Sequence, residues 1–127
     1  MNLFCARSVR LVCFALVSLL VGVVNAQAAD YIYTVAGDGT VGNSGTGNIA
    51  TNAQLTAPYD VAFDSIGNMY IADNGVNVVR RVDAFTKVIS TFAGSGTTGF
   101  SGDGSPATNA QMSDIDSVVV DASGNVY

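Results

Sequence analysis

The chain has 127 residues, ten acidic and five basic side chains, no histidine, and a net charge of −5 at neutral pH. That length holds one domain at most. An acid excess is the wrong sign for a nucleic-acid interface, and without His no Ser/His/Asp or Cys/His system can be assembled and zinc has little to bind. The first 30 residues carry much of the 49% hydrophobic content. Beyond Asp30 the chain is rich in Gly, Asn, Thr, Ser and Asp, with nine acids against Arg80, Arg81 and Lys87. Acidity with so little Lys favours solubility.

The N-terminus reads as an export signal. Arg7 and Arg10 form a positive start, Leu11 to Val24 is an uncharged apolar run, and Ala26-Gln27-Ala28 is a small-x-small cleavage site. Residues 1–28 are therefore expected to be a signal peptide, with cleavage after Ala26 as the second option. A membrane anchor is the rival reading, but the apolar run spans only about 21 Å as a helix, short of the roughly 30 Å hydrocarbon core. Cys5 and Cys13 fall inside the removed segment, so neither suggests a disulfide or a metal site. An exported domain without disulfides depends on its packed core.

Tyr31 to Ala36 is aromatic and β-branched and reads as a strand. Gly37 to Gly47 holds five glycines in 11 residues, a density that excludes a stable helix and predicts a long loop. Ala50 to Leu55 is expected to form one helical turn that ends before Pro58, with Leu55 anchoring it to the core. Four short strands follow: Asp60–Asp64, Met69–Ala72, Asn77–Val82 and Lys87–Ala93. The first alternates, placing Val61 and Phe63 on one face. Turns at 65–68, 73–75 and 84–86 join them, and Gly67 supplies a positive φ.

The chain then repeats itself. Thr34–Tyr70 and Thr91–Tyr127 superpose without a gap at an offset of 57, with 19 of 37 positions identical. A period of this size marks a repeat architecture, and Met112 is the counterpart of Leu55. One four-stranded unit cannot bury both faces alone, so it must stack on neighbours. Four antiparallel strands per period describe one blade of a β-propeller.

Pro58-Tyr59-Asp60-Val61-Ala62-Phe63-Asp64, Gly67-Asn68-Met69-Tyr70-Ile71-Ala72-Asp73 and Asn77-Val78-Val79-Arg80-Arg81-Val82 resemble the NHL repeat of β-propeller proteins. The loops ending in Ala53-Gln54-Leu55 and running Gly99 to Ala107 are similar to the inter-blade loops of secreted bacterial NHL proteins. The resemblance covers residues 31–127. It departs where the usual Pro-x-Gly is Pro58-Tyr59-Asp60 (Ile115-Asp116-Ser117 in the second copy) and where the usual Asn-Arg pair is Asn77-Val78. The fold class expected is all-β: an incomplete NHL-type β-propeller over 29–127, with period 57 and four-stranded antiparallel blades, behind the signal peptide. It divides into a closing strand at 31–36, a complete blade at 58–93, and an inter-blade loop with the start of the next blade at 94–127. Residues 31–36 align with the last strand of the complete blade and are expected to complete the final blade of a full ring.

Other motifs have bland readings. Gly37-Asp38-Gly39-Thr40-Val41-Gly42 fits a dinucleotide loop in spacing, but more Gly, Asn and Ser follow in place of the required helix, and the match recurs at Gly94–Gly99. It is read as a turn. Asp64 and Asp121 each open a D-x-x-G-N hairpin and are read as capping their own turns rather than binding calcium. Asp73 to Asn77 lacks the distal acid of an EF-hand loop, and Asp103 on its loop is a weak cation candidate. Arg80 and Arg81 are adjacent on a strand and point to opposite faces. One is expected to reach an inter-blade carboxylate and the other to be solvated, rather than the two forming a paired ligand site.

The function implied is a secreted, non-enzymatic recognition or scaffold module in the periplasm or outside the cell. It would bind a protein or small ligand through loops on one propeller face, with no cofactor or metal, no nucleic acid and no membrane insertion after cleavage. Asp73, Asn74 and Asn77 are the candidate interaction loop. Two alternatives stand beside it. One is the N-terminal part of a propeller lyase or hydrolase whose active site lies in later blades. The other is a truncated fragment without independent function. Unpaired blade faces also make self-association an expectation.

Overall fold

The computed structural model describes residues 3–7 and 31–127. The apolar run Leu11–Val24, Arg10 and the cleavage site at 26–28 lie outside the described residues. The chain is mostly β. Among the described residues no helix is long and apolar enough to cross a membrane.

Among the described residues, six strands carry the fold. β1 (Leu3–Arg7) and β2 (Tyr31–Ala36) form an antiparallel pair. β3 (Pro58–Phe63), β4 (Met69–Asp73), β5 (Val78–Val82) and β6 (Ile89–Ala93) form an antiparallel sheet in the order β3-β4-β5-β6. That sheet is open and does not close on itself. β2 coincides with the strand expected at 31–36. β3 begins earlier than expected, because Pro58 opens an edge strand where its missing N–H costs no ladder bond. β5 starts at Val78, since Asn77 takes a left-handed conformation (φ 51°) that ends the preceding turn. The helical turn expected over 50–55 is a short 3-10 turn at Ala50–Asn52, and its copy lies at Ala107–Asn109.

Strand alternation divides the sheet into two apolar faces. Phe63, Met69, Val82 and Ile89 stand in one cross-strand row, and Val61, Ile71 and Arg80 in another on the same face. Leu55, Ala50, Ala53 and Ala36 cover that first face, all fully buried. Burying Leu55 alone stabilises by about 1.5–3 kcal/mol. Tyr70, Ala72 and Val79 form the second face, covered by Val118 with Met112, Ile115, Val120 and Val126. Tyr70 meets Phe92 edge to face, with centroids 5.0 Å apart at 87°. The first repeat's loop thus packs on one side of the sheet and the second repeat on the other.

The two copies share a set of backbone hydrogen bonds. Gly37 N–H donates to Ala50 O and Gly94 N–H to Ala107 O, both at 2.9 Å. Asp38 N–H reaches Ala53 O and Ser95 N–H reaches Ala110 O, both at 2.8 Å. The pairing of Ala62 with Tyr70 returns as reciprocal bonds between Val119 and Tyr127, at 2.9 and 2.8 Å. β1 and β2 repeat the geometry of β5 and β6. Leu3, Phe4, Cys5 and Ala6 oppose Ala36, Thr34, Tyr33 and Ile32, as Val79, Arg80, Arg81 and Val82 oppose Ala93, Thr91, Ser90 and Ile89. The register shift falls after the first pair in both. β1-β2 therefore has the form of the last two strands of a sheet preceding β3-β6.

Candidate functional site

The expected interaction loop lies at one end of the sheet, between β4 and β5. Asp73 is fully buried. Its Oδ1 accepts the backbone N–H groups of Ala57 at 2.9 Å and Thr56 at 3.1 Å, which fixes the approach to β3. Asn74 is half-buried and donates from Nδ2 to Ile115 O at 3.1 Å, and Asn77 donates from Nδ2 to Thr98 Oγ1 at 3.1 Å. The structure brings the three together and uses each side chain internally, Asp73 within its own repeat and the two asparagines toward the next.

Asp60 adds a third link between repeats. Its Oδ2 accepts the N–H of Val118 at 3.0 Å. In the sequence Asp60 opens the first strand and departs from the usual Pro-x-Gly. Its distance of 58 residues from Val118, one more than the period, was the available signal.

The two arginines point to opposite faces, as expected, but neither meets an inter-repeat carboxylate. Arg80 is fully buried, and its guanidinium donates to Asn43 Oδ1 at 2.8 Å and Thr46 Oγ1 at 2.9 Å, in the first glycine-rich loop. Burial lowers its pKa, and the charge on Asp73 acts in the opposite direction. Arg81 is part-exposed and pairs with Asp83 at 3.5 Å in its own hairpin. A buried cation held by neutral oxygens ties loop to sheet, which carboxylate-counting from sequence does not reveal.

The opposite end of the sheet carries the β3-β4 and β5-β6 turns. Asp64 Oδ1 accepts from Asn68 N–H at 2.8 Å, and its Oδ2 from Asn68 Nδ2 at 2.7 Å. Asp121 repeats both bonds with Asn125 at the same distances. The turn-capping reading of these acids matches the geometry. Burial raises the Asp64 pKa, but hydrogen bonds from Asn68, Ile66 and Tyr70 outweigh it and the net direction is down. Hydrogen bonds from Asn125 lower Asp121. Bonds from Thr86 and Phe85 lower Asp83. Asn68 Oδ1 accepts Ala84 N–H at 2.9 Å and binds the two turns side by side. Each turn displays a large apolar side chain, Ile66 on one and Phe85, 82% exposed, on the other. Asp103 is exposed on the second glycine-rich loop. Among the described residues no group of three His, Cys, Asp or Glu side chains could hold a metal ion.

Beside these turns lies a cleft of about 460 Å³. Tyr33 and Val35 of β2 form one wall, and Phe63, Met69 and Val82 of the sheet's first face form the other, with Lys87 and Asp83 at the polar edge. Its lining is mainly apolar, and no motif pointed to it. Its residues come from segments far apart in sequence and meet only because β2 stacks on the first face.

No family model matches the chain. A stretch of 45 residues, 32% of the chain, is 49% identical to teneurin-1 of Caenorhabditis elegans. The match spans 2% of that protein's own length.

Proposed function

We propose that the repeats belong to an NHL-type β-propeller exported from the cell, and that the protein serves recognition or scaffolding rather than catalysis. The observation that carries the reading is the stacking of the second repeat, through Val118, Val120 and Val126, on the face formed by Tyr70, Ala72 and Val79. Each sheet covered by its neighbour is the arrangement by which radial repeats bury both faces. The glycine-rich loops fit the gaps between blades, and the positive start with its apolar run supports export.

Recognition is assigned to the end that carries Ile66 and Phe85. Two tight turns hold these side chains in the open on a rigid sheet, and exposed apolar groups so placed favour a binding role. The Asp73–Asn77 end is engaged in joining repeats. Titration against peptide and glycan panels tests the reading. Binding should appear without turnover, and Ile66→Ser combined with Phe85→Ser should weaken it at least tenfold. Binding unaffected by the pair moves the interface elsewhere, and turnover of a panel compound replaces the reading with an enzymatic one.

A further inference from the structure

We infer that Asn74-Gly75 is a site of self-modification: Asn74 deamidates when the second repeat lifts off the first, and the product keeps the two repeats apart. Asn-Gly occurs once in the chain. Glycine after asparagine lets the next backbone nitrogen approach the asparagine side chain without steric hindrance. The pair sits on the turn between β4 and β5, with Asn74 half-buried and Gly75 exposed. Among the described residues, Gly75 N–H has no hydrogen-bond acceptor.

Packing, rather than a special backbone angle, demands this glycine. Gly75 does not have a positive φ. A Cβ there would lie 2.9 Å from Thr56 Cβ and 3.2 Å from Ala57 Cβ. Thr56 is tied in place, since its Oγ1 donates to Gly42 O at 3.0 Å and its N–H to Asp73 Oδ1 at 3.1 Å. The fold thus imposes a glycine behind Asn74, and with it a reactive pair.

Stacking protects that pair. Asn74 Nδ2 donates to Ile115 O at 3.1 Å, which aims the amide at the second repeat. The 3-10 turn closes with Asn77 N–H on Asn74 O at 3.1 Å and keeps Asn74 in helical backbone. Ring closure needs the side chain freed from Ile115 and the backbone freed from the turn. The bond to Ile115 exists only while the second repeat rests on the first, so local opening of that contact gates the reaction.

The step balances without an oxidant or reductant. Gly75 nitrogen gives its proton to hydroxide and attacks Asn74 Cγ. The Cγ–Nδ2 bond breaks, and ammonia leaves with a proton taken from water. Water then adds to either carbonyl of the cyclic imide and breaks that C–N bond, giving aspartate or isoaspartate at position 74. One water is consumed and one ammonia released. Neither product can donate to Ile115 O, so a carboxylate faces a carbonyl oxygen beside Asp73, which is already fully buried. Isoaspartate also lengthens the backbone where Thr56 and Ala57 leave no room.

The test incubates the full chain beside a synthetic peptide of residues 70–80 in mildly alkaline buffer, and mass-spectrometric peptide mapping follows position 74. The peptide should convert readily and the chain about tenfold more slowly, because only its open form reacts. Val118→Ala loosens the stacked cluster, and Val120→Ala does so more gently. Both should move the rate toward that of the peptide, with circular dichroism checking that each keeps its β signal. Converted chain, separated by its added negative charge, should exchange the Val118 amide faster than unconverted chain, since that N–H is held by Asp60 only in the stacked form. A chain that reacts as fast as the peptide, or not at all once the peptide is exhausted, overturns the inference. So do equal rates in the wild type and both variants, or Val118 exchange that conversion leaves unchanged.

Discussion

The carboxylate of Asp60 accepts the backbone N–H of Val118 at 3.0 Å, so the first strand of one repeat holds the corresponding segment of the next. The same carboxylate accepts Val61 N–H through its other oxygen at 2.8 Å. An Asp at this position therefore organises both segments at once. The bond stands beside the buried cluster of Tyr70, Val79 and Val118, where a lost acceptor leaves a donor without a partner.

Replacing Asp60 with Ala should destabilise the chain by about 1–3 kcal/mol, the cost of a part-buried N–H left unsatisfied. Asp60→Asn keeps an acceptor and should cost less than half of that. Urea unfolding of the two variants checks the order. Equal losses would mean that the acceptor for Val118 N–H is not what Asp60 contributes.

Arg80 should tolerate an apolar replacement better than a truncation. Arg80→Ala leaves a cavity and frees Asn43 and Thr46, for a loss of about 3 kcal/mol. Arg80→Met fills most of the volume and should cost about 1 kcal/mol, since apolar groups can replace a buried charge at little penalty. In both variants amide exchange over residues 43–46 should accelerate, because the loop loses its tie to β5. Unchanged exchange would show that the loop is held by other contacts.

Two glycines of the first loop should differ in their response to Ala. Gly45 and Gly47 both have positive φ, +93° and +88°. A Cβ on Gly45 would lie 2.6 Å from Ala53 Cα, whereas one on Gly47 meets nothing within 4 Å. Gly47→Ala should cost about 1 kcal/mol for the left-handed backbone alone. Gly45→Ala should cost about 3 kcal/mol, because overpacking is added. Thermal midpoints compare them directly, and equal midpoints would contradict the close approach.

Acid should destabilise the fold through its turns. Asp38, Asp64, Asp83 and Asp121 all have pKa values lowered in the folded chain. A carboxyl lowered on folding contributes stability that is complete above its unfolded value, about 3.9, and is lost as pH falls through the folded value. The thermal midpoint should hold from pH 7 to about 5 and fall below about 4. Asp83→Asn should flatten part of that fall. A midpoint that rises on acidification would contradict the sign.

Much of the sheet is legible in the sequence because its signals are local. Alternation in 60–63, the apolar run Met69–Ala72 and the turn residues at 64–68 place three elements within a few residues, and the offset of 57 carries them to the second copy. The candidate site is less legible. Asp73 reads as a loop acid, yet it is buried and bonded to the N–H groups of Thr56 and Ala57, which lie 17 and 16 residues earlier. Arg80 finds Asn43 and Thr46, 37 and 34 residues earlier, in a glycine-rich loop that has no periodicity. The cleft depends on β2 stacking face to face, and such stacking leaves no spacing to read. The pairing of Leu3–Arg7 with β2 is also absent from the local pattern, because that stretch reads as the start of an export signal.

The most direct measurement is a double-mutant cycle across the two repeats, with Tyr70→Ala on the first and Val118→Ala on the second. The positions are 48 residues apart in sequence and meet only if the repeats stack. Stacking predicts a coupling energy of about 1 kcal/mol, within the range for residues in one packed cluster. Losses that add to within about 0.3 kcal/mol would mean that the second repeat does not rest on the first.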